Sequence, residues 1–247
     1  GYLTFPPGVA REGLPAVVNV HGGPWARDHW GLHTEAQWLA NRGYVCIQVN
    51  FRSSTGYGKA FLNAGDKQWG LAMQDDLTDA VEHVIAQGWV HRERVGIYGG
   101  SYGGYMVNWL LGHSDRFKAF VSHAGVFDLR SMAGETEELW FPLWEFKGMP
   151  WQESELYAKW SPSHYVNMFK TPTLVIHGEL DYRVPVGQGL QLFTSLQLQK
   201  VPSKLLLFPD EGHWVLKPQN SVIWYHTFLD WIGEWTKPGA GDATNAH

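Results

Sequence analysis

The feature that most restricts this chain is an alternation of short apolar runs with longer helix-like stretches. Ala16–Val20, Tyr44–Asn50, Arg94–Tyr98, Lys118–Ser122, Thr173–His177 and Lys204–Phe208 read as strands, and between or after them Thr34–Arg42, Gln74–Gln87, Tyr102–Leu111, Val186–Gln197 and Asn220–Trp235 read as helices. Strands separated by helices cannot pair as hairpins, so the pattern predicts an α/β fold with a mostly parallel sheet and helices on both faces. In Gln74–Gln87, Leu77, Ala80, Val81 and Val84 recur at helical spacing and leave Asp75, Asp79 and Glu82 outside, which places that helix on the sheet. Between Asp128 and Val166 the alternation gives way to a segment containing Trp140, Trp144, Trp151 and Trp160. At that length it reads as an excursion of short helices covering something.

The 247 residues, 44% of them hydrophobic, can form one large domain or two small ones with a sizeable core, which argues against disorder. Apolar runs stop at four residues, far short of the roughly 20 a membrane helix needs. Nineteen Lys and Arg against 24 Asp and Glu are scattered rather than blocked, so nucleic acid is not an expected partner. The single Cys46 allows neither an internal disulfide nor a Cys-x-x-Cys site, and no metal is expected. The chain starts at Gly1 without a leader-like segment, as a processed chain or a fragment would. That leaves the compartment open between the cytoplasm and, if a leader was removed, the periplasm or exterior. Residues 1–236 are expected to form one domain and 237–247 a frayed tail.

Gly99-Gly100-Ser101-Tyr102-Gly103 sits at a strand-to-helix junction and reads G-x-S-x-G. In that context the Ser occupies a sharp turn that projects its hydroxyl, and the helix N-terminus favours developing negative charge. A Ser hydroxyl needs an imidazole to take its proton and a carboxylate to orient that imidazole. On this type of turn the partners follow in the order Ser, acid, His. Asp181 comes just after the run Thr173–His177, and His213 just after Lys204–Phe208. Both would stand at C-terminal strand ends, where open parallel sheets hold ligands. The alternatives are a Gly-rich turn without chemistry, a capping role for Asp181 with Glu179 as the acid, and a solvated role for any of the 12 His; His177, inside a strand, reads as structural. An oxyanion formed at Ser101 needs preorganised N–H donors, and His21-Gly22-Gly23-Pro24 after the first of these runs offers one. Gly23 and Tyr102 are the expected donors, unless the first is a plain Gly-Pro turn.

With these elements in one order, the chain resembles the prolyl oligopeptidase family of serine peptidases, most closely its acylaminoacyl-peptidase and bacterial dipeptidyl-peptidase group. The motifs carrying the resemblance are His21-Gly-Gly-Pro24, Asn50-Phe-Arg-Ser-Ser-Thr-Gly-Tyr-Gly58, Gly99-Gly-Ser-Tyr-Gly-Gly-Tyr105, Asp181-Tyr-Arg-Val184 and Gly212-His213-Trp214, from about Leu3 to Trp235. The resemblance implies an α/β-hydrolase fold, with Ser101 as nucleophile, Asp181 as orienting acid and His213 as base, and no metal or organic cofactor. It also implies a peptide substrate whose carbonyl Arg183 holds, and an apolar pocket built by Val184, Trp140, Phe141 and Trp144; Arg183 could equally be a surface ion pair and the aromatics core. Ser53 departs from the Gly usual at its place, which should alter only a local turn. The β-propeller usual in the family is not in this sequence, and exopeptidase selectivity is not carried over with the rest. A preceding propeller or a second copy are the protein partners left open. A carboxylesterase on aryl or hydroxycinnamoyl esters and an inactive hydrolase-fold binding module are the competing readings.

Overall fold

A computed structural model describes residues 1–237, and the expected tail lies outside the described residues except for Lys237. The elements run β1 (Tyr2–Thr4), β2 (Leu14–Val20), α1 (Thr34–Asn41), β3 (Val45–Gln48), α2 (Lys59–Leu62), α3 (Leu71–Ala86), β4 (Val90–Gly100), α4 (Tyr102–His113) and β5 (Ala119–His123). They continue with α5 (Leu129–Glu135), α6 (Trp140–Phe146), α7 (Ser154–Trp160), β6 (Thr173–Gly178), α8 (Gly187–Leu198), β7 (Ser203–Phe208) and α9 (Pro218–Thr236). The sheet order is β1-β3-β2-β4-β5-β6-β7, parallel throughout except for β1, which lies antiparallel on β3 with Leu3 opposite Ile47. This is the α/β-hydrolase fold. The sequence reading missed β1, whose three residues are too short to show a period.

Side-chain alternation along the strands divides the core in two. Val18, Val20, Ile47, Ile97 and Phe120 point to the face covered by α3, α4 and α8, where Leu77, Val81, Tyr105, Leu110, Leu192 and Leu196 meet them. Val17, Cys46, Val121, Leu174 and Ile176 point to the opposite face, covered by Leu39 of α1 and by Trp224, Phe228 and Ile232 of α9. Helix α3 buries Met73, Leu77, Val81 and Val84 as its period requires, with Ala80 only half-buried. Burial pushes the Cys46 thiol far above its ordinary range, which keeps it a small apolar filler.

The excursion after β5 folds as α5, α6 and α7, and it is fastened by indole N–H groups. Trp160 Nε1 donates to Lys67 O at 2.9 Å, and Trp69 Nε1 donates to Glu145 Oε2 at 2.6 Å. Trp69 is fully buried, edge-on to Tyr102, Tyr105 and Phe141, so the Glu145 contact ties α6 to the wall of α4. Burial, opposed by that indole N–H and reinforced by Asp66, pushes the Glu145 carboxyl up to about 7. The folded chain therefore holds a proton that the unfolded chain has released between roughly pH 4.3 and 7, and stability falls as pH rises through that window. Glu145→Gln keeps an acceptor for Trp69 and cannot ionise. Its stability relative to wild type should rise by roughly 2–3 kcal/mol between pH 5 and pH 8 in denaturant titrations; a difference that does not change with pH would refute the assignment.

Candidate active site

The turn from β4 into α4 is made at Ser101, whose backbone sits at φ 58°, ψ −121°, a region costly for any residue with a side chain. The close approach that holds it there needs glycine. A Cβ on Gly99 would fall 2.3 Å from the Gly103 carbonyl carbon, and one on Gly103 would fall 2.1 Å from Val20 O. Ser101 N–H donates to His123 O at 3.0 Å, which fixes the turn to the end of β5. Ser101 is half-buried rather than fully exposed as a turn residue would be, because the loop after β2 leans over it. A Cβ on Gly22 would sit 3.5 Å from Ser101 Cβ. Gly23 has φ +116°, and Tyr102 opens α4, so its N–H has no acceptor within the helix.

The loop at His21-Gly22-Gly23 is braced by the Asn50–Gly58 motif. His21 lies flat on Phe51 with ring centroids 4.3 Å apart, donates from Nδ1 to Gly22 O, and accepts at Nε2 from Ser54 Oγ at 2.8 Å. Burial lowers the His21 pKa, which keeps the ring neutral and fits that donor-acceptor pattern. Phe51 also touches the Tyr102 ring, so one side chain supports both sides of the turn. The motif itself is tied to α3 by Arg52, whose guanidinium grips Asp76 at 2.8 Å and also reaches Ala72 O. Ser53 adopts φ 86°, the conformation for which glycine is usual, and is held by its N–H to Phe61 O. The substitution leaves the turn in the left-handed region.

Asp181 is 2% exposed in the loop after β6. Its Oδ1 accepts the N–H groups of Arg183 at 3.0 Å and Val184 at 2.9 Å, and its Oδ2 lies 2.8 Å from His213 Nδ1. A carboxylate only accepts, so the His213 proton sits on Nδ1 and the Nε2 lone pair is free. Glu179 is exposed and stands apart from this contact. His177, fully buried, donates from Nε2 to Val184 O at 2.7 Å and so pins the acid loop, the structural role expected of it. Burial lowers its pKa, and burial with His177 and His213 nearby pushes His123 down to about 3. Neither ring then brings a positive charge to the Asp181 carboxylate. The histidine loop after β7 is held by Glu211, which sequence reasoning passed over. Burial opposes its ionisation, but hydrogen bonds from Asn220 and the Lys217 and Leu216 amides outweigh that and hold it below the usual carboxylate range.

Ser101, His213, Gly22 and Gly23 line an open cavity of about 730 Å³. Trp25, Trp140, Phe141 and Arg183 line the same cavity. Trp25, which the sequence reading did not single out, packs against Trp140, Phe141 and Trp144 with centroids 5.3 to 6.2 Å apart. Two expected pocket residues do not reach the cavity. Val184 is buried beneath the acid loop because its N–H and C=O are both committed there, and Trp144 stands behind Trp25 with Lys147 over its ring. Arg183 lies over Trp214 and pairs with Glu138 at 3.1 Å and Glu137 at 3.5 Å. It thus makes a surface ion pair while still facing the cavity. Among the described residues no His, Cys, Asp or Glu cluster is arranged to hold a metal ion, and no helix is long and apolar enough to cross a membrane.

The chain is similar in sequence and in fold to known proteins. The sequence model of the prolyl oligopeptidase family matches residues 30–239. The chain is 39% identical over 229 residues to dipeptidyl-peptidase 5 of Schizosaccharomyces pombe, covering 90% of this chain and 33% of that protein. It is 42% identical over 230 residues to dipeptidyl-peptidase 5 of Aspergillus fumigatus, covering 90% and 32%. Among solved structures, an acylaminoacyl peptidase in complex with Z-Gly-Gly-Phe-chloromethyl ketone superposes with TM-score 0.89 at 32% identity, covering 95% of this chain and 39% of that one. A Mycobacterium tuberculosis puromycin-hydrolyzing peptidase superposes with TM-score 0.90 at 30% identity, covering 95% and 37%. The chain spans about a third of the length of the curated relatives it matches.

The two amide donors on Asp181 Oδ1 make one substitution informative. In Asp181→Asn the side-chain oxygen stays on those amides and the NH₂ turns to His213, which must then accept at Nδ1 and carry its proton on Nε2. That tautomer cannot act as a base toward Ser101. The variant should keep its thermal transition and lose about 10⁴-fold in kcat on any substrate the wild type turns over; a loss below tenfold would contradict the tautomer argument.

Proposed function

The chain belongs to the prolyl oligopeptidase family, and we propose that it is a serine peptidase catalytic domain acting through an acyl-enzyme at Ser101. The observation that carries this reading is the 2.8 Å contact of His213 with Asp181 in the same cavity that exposes Ser101 at its strained turn. His213 Nε2 takes the Ser101 proton as Oγ attacks the scissile carbonyl. The Gly23 and Tyr102 N–H groups receive the oxyanion, helped by the N-terminus of α4. His213 then returns the proton to the departing amine, the C–N bond breaks, and water repeats the sequence on the ester to release the acid and regenerate Ser101.

Substrate selection follows from the lining. Trp25, Trp140 and Phe141 offer an apolar, aromatic surface to the residue before the scissile bond, and the Arg183 guanidinium, already oriented by Glu138, can hold a substrate carbonyl. The names dipeptidyl-peptidase 5 and acylaminoacyl peptidase borne by its relatives support a peptide or acyl-amino-acid substrate.

The same triad could cleave esters, whose leaving group is better than an amide's, so the test compares the two. Acyl-phenylalanine p-nitroanilide should be hydrolysed with saturable kinetics, and Ser101→Ala should abolish its turnover while keeping the thermal transition. Hydrolysis of p-nitrophenyl esters with no measurable anilide turnover would make the domain an esterase and overturn the peptidase reading. Failure on both would favour an inactive binding module.

A further inference from the structure

Helix α6 brings Trp140 and Phe141 to the cavity, yet little holds it in one pose. It is seven residues long, has no side-chain cap at its N-terminus, and leaves Trp140, Leu143 and Trp144 exposed. A helix of that length is not stable by itself. Its inward residues are Pro142, Glu145 and Phe146, so a carboxyl stands where an apolar side chain would bury without loss of hydration. Glu145 is 1% exposed. Its Oε2 accepts the indole N–H of Trp69 at 2.6 Å, and the Trp25 indole N–H acts on the same carboxyl more weakly. Lys67 N–H also donates to Glu145 O at 3.2 Å, and Lys147 pairs with Asp66 at 3.2 Å on the surface, but neither contact reaches a side chain that lines the cavity.

Apolar contacts are non-directional, so they can keep α6 on the domain without selecting one orientation. A hydrogen bond to a fully buried indole does select one, because its geometry is narrow and its loss leaves two polar groups unpaired in a dry site. The indoles that Glu145 takes are themselves part of the wall's support. Trp69 lies edge-on to Phe141 at 5.5 Å and against Phe146 at 5.2 Å, while Trp25 packs on Trp140 and Phe141. Both donors thus touch side chains that line the cavity with Ser101, and Trp25 lines it itself. We infer that Glu145 is a positioning residue for substrate selection, holding Trp25, Trp140 and Phe141 in the pose that receives a large apolar residue before the scissile bond. The inference rests on the peptidase reading for which part of the substrate meets this wall; the hold of Glu145 on the wall does not.

Two measurements separate these. Acyl-phenylalanine and acyl-alanine p-nitroanilides are compared in wild type, Glu145→Ala, Glu145→Gln and Trp69→Phe. Both are also titrated calorimetrically into Ser101→Ala with and without Glu145→Ala, which reads the wall without turnover. Wild type should show a KM at least about tenfold lower for the phenylalanine substrate. Glu145→Ala should raise that KM about tenfold and leave kcat on both substrates within about twofold, because the triad and the loop at His21 are held by other contacts. Glu145→Gln, which keeps an acceptor for Trp69, should restore the preference. Trp69→Phe removes the N–H but keeps a ring against Phe141; it should lose the preference as Glu145→Ala does, and it covers the case in which Glu145→Ala fails to fold. If neither anilide is cut but Glu145→Ala removes the binding preference of Ser101→Ala, the peptidase reading falls and the positioning role survives. Equal affinity of the unaltered wall for both substrates, or a fall in kcat on both at constant KM, overturns the positioning role. So does a preference that survives both Glu145→Ala and Trp69→Phe, or one that Glu145→Gln fails to restore.

Discussion

The strained turn at Ser101 is the constraint around which the rest of the domain is arranged. A residue with a side chain held at φ 58° persists only where its surroundings over-determine it. Here β4 enters and α4 leaves through glycines so close to neighbouring backbone that no Cβ could be added at Gly99 or Gly103 without a clash. The consequence is positional. Ser101 is held at the carboxyl edge of the central strand pair, with the start of a helix behind it and the loop after β2 leaning over it. Every other element of the site comes to this point rather than the reverse.

Three loops arrive there, each secured by a different interaction. The loop after β2 is stacked on Phe51 and bonded to Ser54, the loop after β6 is stiffened by backbone amides on Asp181 and by His177 on Val184, and the loop after β7 is held by Glu211. Direct hydrogen bonds then join the last two, from Leu180 N–H to Glu211 O and from Glu179 N–H to Phe208 O. Burial lowers the pKa of His21, His123 and His177, so none of these three rings adds a positive charge beside the Asp181 carboxylate. The aromatic excursion completes the site by bringing Trp140 and Phe141 to the cavity, while Trp69 and Glu145 anchor its helix from behind.

What was legible in the sequence is what local chemistry dictates. The elbow could be read because a strand, two glycines, a Ser and a helix are contiguous, and Asp181 and His213 because each follows a strand by a few residues. Trp25 was less visible, since its partners Trp140 and Phe141 are more than a hundred positions away and meet it only through the fold. Val184 was placed in the pocket by resemblance, yet its backbone is spent on the acid loop and its side chain stays beneath it. Strand β1 escaped detection for a simpler reason, being three residues long at the sheet edge.

The central claim is that Ser101 is an activated nucleophile, made so by His213 and Asp181 at the mouth of this cavity. Labelling with a fluorophosphonate, followed by peptide mapping, tests it most directly because it needs no knowledge of the substrate. The account predicts stoichiometric modification of the wild-type protein at Ser101 alone, and a rate reduced by orders of magnitude in His213→Ala. No reaction at Ser101 in the folded wild-type domain, or labelling that proceeds equally well without His213, would contradict it.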